Sequence, residues 1–343
     1  MNNNPDIALI IPVYNTASYL PKCMESILSS TFSSMEIILV DDGSTDGVSP
    51  DLCDRYAQSD PRVRTLHKEN GGLQSAWIAG AEASNADYLS FIDSDDWLDS
   101  EMFQELFAHT SQAFKSCEII SSDYIIEKQN ERKEVHHTIP CGQHFGEDLD
   151  KIKMRLLGEE QRTVILSRCM KLISRKLILD NLHYCNSAIK LGEDVNIMVP
   201  ALCDCKRLYV SDKCYYHYRT VLSSMSHAHN EKILDDIKLL CDTCCNILED
   251  KKIPNARSQA EREFLRLMFV YVKDELRAGY KGATVVVRDT LTQKPIKDKI
   301  LNNKLEVSDK ANKLIYYGMR HPNLLVLTMI QLILFAYDKK TNG

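Results

Sequence analysis

The first hundred residues alternate short apolar runs with stretches of helical spacing. Ile7–Val13 is continuously apolar and ends in Tyr14-Asn15, the pattern of a strand buried on both faces. A helical pattern follows over about 18–30. Glu36–Val40 is a second buried run and closes on Asp41-Asp42-Gly43-Ser44. Val48–Gln58 reads as helix, Arg62–His67 as strand and Leu73–Ala83 as helix. Tyr88–Ile92 is a fourth strand, ending in Asp93-Ser94-Asp95-Asp96. This alternation predicts an α/β fold with a mostly parallel sheet and right-handed crossovers. The carboxyl ends of such strands face one crevice, where ligands bind. Tyr14-Asn15, Asp41-Asp42 and Asp93–Asp96 all fall at those ends.

Beyond Glu101 the pattern is mixed. Glu118–Ile126 reads as a strand. Residues 127–148 are polar and His-rich, and predict a loop or hairpin excursion whose His136, His137 and His144 are surface or acceptor-side residues rather than ligands. Leu149–Leu157 and Ile173–Leu182 look helical. Gly192-Glu193-Asp194 opens a helix running to about Cys203. Arg207–Val210 and Cys214–Tyr218 read as two short strands. From about Asn230 the pattern is purely helical, with amphipathic stretches at 230–250 and 258–277. The expected divisions are 1–110, 111–228 and a helical 229–343. Leu324–Tyr337 is apolar except for Thr328 and Gln331. It is shorter than the roughly 20 residues that span a bilayer. Basic residues flank it, so it is either a membrane-docking helix lying in the interface or a helix packed on the protein's own core.

Length and composition narrow the class. The chain has 343 residues, enough for about two domains. With 44% hydrophobic and 26% charged residues it has the balance of a soluble globular protein, which excludes disorder for its bulk. The net charge is -6, from 42 basic and 48 acidic residues, so no nucleic acid is expected as partner. The N-terminus lacks the basic and apolar regions of a secretory signal, which predicts a cytoplasmic chain whose 12 cysteines are reduced. Cys241, Cys244 and Cys245 have no second CxxC pair and share a helical pattern with Ile237 and Leu240. They read as buried structural thiols.

The acidic strand ends carry the chemistry. Asp93, Asp95 and Asp96 place three carboxylates on one turn, where they repel one another unless a cation or donors compensate. A hard divalent ion, Mn²⁺ or Mg²⁺, suits an all-oxygen set and keeps positions open for phosphate oxygens. The alternative is a solvated helix start, with Asp99 or Ser100 as cap. Asp42 can accept from a ligand N–H such as the imide of uracil, or simply cap a turn. Glu193-Asp194 can complement a helix dipole or supply a general base.

Five segments occur in order: Ile10-Ile11-Pro12-Val13-Tyr14-Asn15, Val40-Asp41-Asp42-Gly43-Ser44-Thr45-Asp46, Asn70-Gly71-Gly72-Leu73, Phe91-Ile92-Asp93-Ser94-Asp95-Asp96 and Gly192-Glu193-Asp194. Together they resemble the family 2 glycosyltransferases, inverting enzymes of GT-A fold. The resemblance is clear over about 6–110 and patchier to about 226. It implies that Pro12, Tyr14, Asp42 and Gly71 line the nucleotide pocket, with Asp42 on the base. Asp93 would lie near the ribose, Asp95 would ligate the metal and Asp96 would support its water shell or the sugar. Asp194 would be the catalytic base, with Glu193 orienting the acceptor or the loop. Tyr215–Arg219 and Ser223–Ser226 resemble a flexible segment that closes over the diphosphate; Arg219 suits phosphate, and His217 is either a further metal ligand or a packed histidine. One departure is Ala76-Trp77-Ile78, where many relatives carry an Arg-Asn pair; Trp77 is expected to stack on a ring of the nucleotide instead.

The implied reaction moves a sugar from a nucleotide sugar, with UDP favoured, to a hydroxyl of a glycan or lipid-linked glycan. A peripheral membrane contact and a homo-oligomer are compatible with it. Two rivals are a sugar-nucleotide pyrophosphorylase and a catalytically inactive GT-A interaction protein. The first wants a Gly-rich loop where Pro12-Val13-Tyr14-Asn15 stands. The second has no use for Asp42, Asp93, Asp95 and Asp194.

Overall fold

The computed structural model describes residues 4–128, 131–220 and 229–341. It divides into two compact units: Met1–Lys153 with Val164–Ala188 and Gly192–Leu222, and Met154–Thr163 with Ile189–Leu191 and Ser223–Gly343. The boundary expected near 228 lies outside the described residues.

The first unit is built on one mixed sheet. Its first half follows the apolar runs: β1 Ile7–Val13, α1 Leu20–Leu28, β2 Met35–Asp41, α2 Ser49–Ser59, β3 Val63–His67, α3 Leu73–Ala83 and β4 Tyr88–Phe91. Strands β3, β2, β1 and β4 are neighbours in that order and parallel. All seven residues of β1 are buried, which is why no polar alternation marks it. Helix α3 comes so near that a Cβ on Gly80 would stand 2.5 Å from Ile10 Cγ2. Glycine is needed there for close approach.

The second half continues with β5 Trp97–Leu98, α4 Met102–Ala108, β6 Glu118–Glu127, β7 Arg132–Val135, β8 Gly142–Phe145 and α5 Gly146–Lys153. It ends with β9 Lys171–Ser174, α6 Arg175–Leu179, α7 Glu193–Asp204 and β10 Arg207–Arg219. The sheet order runs β3-β2-β1-β4-β9-β6-β10-β5, with β7 on β6 and β8 on β10. The excursion expected over 127–148 thus contributes two edge strands and a helix start.

Two elements depart from the sequence reading. The stretch expected to be helical from Ile173 begins as β9, a strand buried at all four positions and antiparallel to β4 and β6. A short apolar run does not by itself distinguish buried strand from buried helix. Lys171 hides the run further. It is 0% exposed, and burial lowers its ammonium pKa to about 8. The two short strands expected over 207–218 are one strand, β10, with register irregularities on both sides of Cys214.

The second unit is helical: α8 Ile233–Asp250, α9 Ala256–Arg277, α10 Ala283–Thr292, α11 Lys294–Asn302, α12 Lys310–Arg320 and α13 Leu324–Thr341. Helix α8 buries Ile237, Leu240, Cys241 and Cys244 on one face, as expected for structural thiols, whereas Cys245 is only partly buried. Helix α13 buries Leu327, Ile330 and Leu334 in its own unit, while Leu325 and Leu332 are 86% and 63% exposed. Among the described residues no helix is long and apolar enough to cross a membrane.

Glu263 of α9 is fully buried in this unit. It accepts from Arg162 Nη2 at 2.7 Å, Arg266 Nη2 at 2.8 Å and the Gly158 N–H at 2.9 Å. Burial alone would raise its pKa. The two guanidiniums outweigh that and hold it far below the carboxylate range. A depressed acid contributes stability above its unfolded pKa and loses it as pH falls through the folded value. Glu263→Gln should therefore destabilise the chain by about 3–5 kcal/mol at pH 7, because two buried cations lose their anion. Urea unfolding should show the gap between wild type and variant narrowing as pH falls below about 4. A pH-independent gap would contradict the ion-pair account.

Candidate active site

The loops after β1 and β2 are laced together. Asn15, at φ 54°, accepts through Oδ1 from the Thr45 and Asp46 N–H groups at 2.7 and 3.0 Å. Its own N–H donates to Ser44 Oγ at 3.1 Å. Tyr14 stands 49% exposed beside this junction, and Pro12 lies within buried β1. Asp42, 2% exposed, accepts from Lys68 Nζ at 2.6 Å, Gly71 N–H at 3.0 Å and Gly72 N–H at 2.8 Å. Its carboxylate thus closes the 68–72 loop, with both oxygens engaged.

The turn after β4 concentrates negative charge. Asp96 is 1% exposed; its Oδ2 accepts from the Tyr216 hydroxyl at 2.7 Å and its Oδ1 from the Arg219 N–H at 2.7 Å. The Tyr216 oxygen accepts in turn from the Asp93 N–H at 3.2 Å. Arg219 Nε donates to the Asp95 carbonyl at 2.6 Å, and its guanidinium lies 4.8 Å from the Trp97 ring. Burial, then neighbouring carboxylates, pushes the Asp95 and Asp96 pKa values above the usual range. Burial likewise raises Asp93, with Arg168 opposing and Asp194 adding to the shift.

Helix α7 brings the second acidic pair. Gly192 precedes it in the left-handed region at φ 74°, which only glycine adopts freely, and this puts Glu193 and Asp194 in the first turn. Arg168, 2% exposed, joins the two acidic groups. Its Nη2 donates to Asp93 at 2.9 Å, and its Nη1 donates to Glu193 at 3.1 Å and also to Asp194. The structure therefore unites Asp93, Glu193 and Asp194 around Arg168, and Asp95, Asp96 and Arg219 around the same turn.

Two expected residues stand elsewhere. Trp77 is 1% exposed and packs edge-on against Phe91 with centroids 5.6 Å apart. It is a core residue with no ring face left for a nucleotide. His217 has both ring nitrogens engaged, Nδ1 with Glu127 at 2.8 Å and Nε2 with Asp99 at 3.2 Å, and stacks on Trp97. That arrangement is the packed histidine rather than the metal ligand. Tyr215–Arg219, expected in a flexible segment, is part of β10; Ser223–Ser226 lies outside the described residues.

Sequence reasoning missed Arg168 and Tyr216. Arg168 sits between apolar neighbours in Ile165-Leu166-Ser167-Arg168-Cys169-Met170, with no motif around it. Tyr216 had a weak signal in the alternation along its strand. The carboxylate oxygens of this turn are the ligand type a hard divalent cation prefers, but Asp93 is bridged to Arg168 and both Asp96 oxygens accept from Tyr216 and the Arg219 N–H.

Arg168→Met should lower stability by about 1–3 kcal/mol in chelator, since its partners are partly exposed. Burial already raises the Asp93 pKa, and without the opposing Arg168 its folded value would lie further above the unfolded one. The loss should be larger at pH 8 than at pH 5 in urea unfolding. Equal losses would show that Arg168 acts by packing alone.

A family model described as "Glycosyl transferase family 2" matches residues 8–181. The uncharacterized glycosyltransferase EpsJ of Bacillus subtilis (strain 168) is 28% identical over 235 residues, 68% of this chain and 66% of that protein. Glycosyltransferase GlyG of Streptococcus pneumoniae serotype 4 is 29% identical over 62% of this chain and 70% of its own length. A crystal structure of S. aureus TarS 1-349 in complex with UDP-GlcNAc has a TM-score of 0.64 at 18% identity, covering 98% of this chain and 92% of that one. That likeness speaks to the fold, which is GT-A. With the family model matched over half of its length, the chain belongs to glycosyl transferase family 2 and is a glycosyltransferase.

Proposed function

We propose that the chain transfers a sugar from a UDP-sugar to a hydroxyl of a glycan or lipid-linked glycan, with inversion, using Mn²⁺ or Mg²⁺. The observation that carries this reading is the Arg168 bridge, which sets the acidic pair of α7 beside the acidic turn after β4. Residues 1–110 would hold the donor and residues 111–228 the acceptor, with 229–343 as a helical appendage. The relative GgaB of Bacillus subtilis (strain 168), a minor teichoic acid biosynthesis protein, supports a teichoic-acid-type acceptor. The UDP-GlcNAc held by TarS makes that nucleotide sugar the first donor to try.

Tyr14 would face the base from its exposed position, beside the loop that Asp42 holds closed at Gly71. Asp95 would hold the cation, with Asp93 beside it and Asp96 supporting its water shell or the sugar. When bound, the cation neutralises charge developing on the departing diphosphate. Arg219 would add its guanidinium to the phosphate side, where Trp97 supports it. Asp194 would take the proton of the acceptor hydroxyl as that oxygen attacks the anomeric carbon. Arg168 would hold Asp194 beside the acidic turn until the acceptor arrives, and Glu193 would orient the acceptor. One displacement inverts the configuration and needs no covalent sugar on the protein; the logic matches that of inverting glycosidases.

The test is UDP release from a panel of UDP-sugars, with Mn²⁺ and with chelator. Asp194→Asn should lower transfer by about 10²–10⁴-fold while UDP affinity stays nearly unchanged in calorimetry. A fully active variant would remove Asp194 from the base role. Asp95→Ala should weaken UDP binding in Mn²⁺ and leave the weak binding in chelator unaltered. Unchanged Mn²⁺ dependence would remove Asp95 from the cation.

A further inference from the structure

A second cluster of ligating side chains lies on the same sheet, away from the acidic turn. Asp123 of β6 pairs in register with Cys214 of β10 on one side. On the other side Tyr124 pairs with Val135 of β7, so His136 follows opposite Asp123. Residues opposite one another in a ladder project to the same face. The irregularities flanking Cys214 aim its side chain independently of the rest of β10. A carboxylate oxygen of Asp123, an imidazole nitrogen of His136 and Cys214 Sγ all lie within 4.8 Å of one another.

The surroundings hold this group in place. Asp123 is 3% exposed, and its Oδ1 accepts from the His137 N–H at 2.9 Å, which leaves Oδ2 facing His136 Nδ1 at 2.6 Å. The His137 ring is occupied elsewhere. Its Nδ1 accepts from the Ile165 N–H at 3.1 Å, and its Nε2 faces Ser121 Oγ at 3.0 Å and the Ser122 carbonyl at 3.3 Å. His137 therefore supports the group from behind. His136 remains half exposed, so a solvated ion can reach it.

We propose that Asp123, His136 and Cys214 bind Zn²⁺, with the fourth tetrahedral position open to water. Tetrahedral Zn²⁺ with sulfur, nitrogen and oxygen ligands separates them by about 3.3–3.8 Å, a small adjustment from the observed spacing. The Cys214 thiol proton goes to solvent as the sulfur–metal bond forms. The mixed donor set selects a borderline ion, whereas the oxygen-only turn after β4 selects a hard one. Occupancy clasps β7 and β10 onto β6, two residues before Tyr216.

Co²⁺ is the probe, because its bond to a thiolate gives a charge-transfer absorption that carboxylate sites lack. The reduced, chelator-treated chain should develop this band on Co²⁺ titration and lose it on adding Zn²⁺, but not Mg²⁺. The band should persist in Asp95→Ala, and in Cys141→Ser, which removes an exposed cysteine outside the group. Cys214→Ser should abolish it, and His136→Ala, at a half-exposed position that tolerates truncation, should weaken Co²⁺ affinity by at least about tenfold. No band in the wild type, or a band of unchanged strength in Cys214→Ser or affinity unchanged in His136→Ala, overturns the proposal.

Discussion

One guanidinium governs the charge of the candidate site. Arg168 contacts Asp93 from the turn after β4 and both Glu193 and Asp194 from the start of α7. Carboxylates this close would otherwise push apart. Arg168 is nearly inaccessible, so its charge is little screened by solvent. It brings residues about a hundred positions apart in the chain into one charged cluster.

The scaffold explains why the contact can form. Parallel β1, β2 and β4 deliver their polar carboxyl ends, acidic in β2 and β4, to one edge of the sheet. Antiparallel β9 follows Arg168 closely and lies between β4 and β6. Strand β10 brings Tyr216 and Arg219 back to the same turn, where the phenol and a backbone N–H take both oxygens of Asp96. Charge is thus compensated there by hydrogen bonds as well as by cations. The helical unit meets the same constraint by another route. Glu263 is wholly buried, and two arginines and a backbone N–H satisfy it.

The cysteines divide along similar lines. Cys241 and Cys244 fill the apolar face of α8. Cys214 lies on an irregular stretch of β10 beside a carboxylate and an imidazole. Equal residue types, differently placed, offer packing in one case and ligation in the other.

The sequence by itself determined the parallel half of the sheet, because runs such as Ile7–Val13 must be buried on both faces and each ends in a polar cluster. It also determined the acidic groups of the site, since carboxylates crowd one turn at Asp93–Asp96 and open a helix at Glu193-Asp194. Tertiary structure alone decided what those groups face. Arg168 carries no local pattern, and β9, which opens on the charged Lys171, is too short to announce itself as a strand. Trp77 belongs to the core because Phe91 takes its edge, and His217 is held by Glu127 and Asp99. The cause is the same in each case: local spacing records which side chains must leave water, while the partner that receives them is supplied by chain far away.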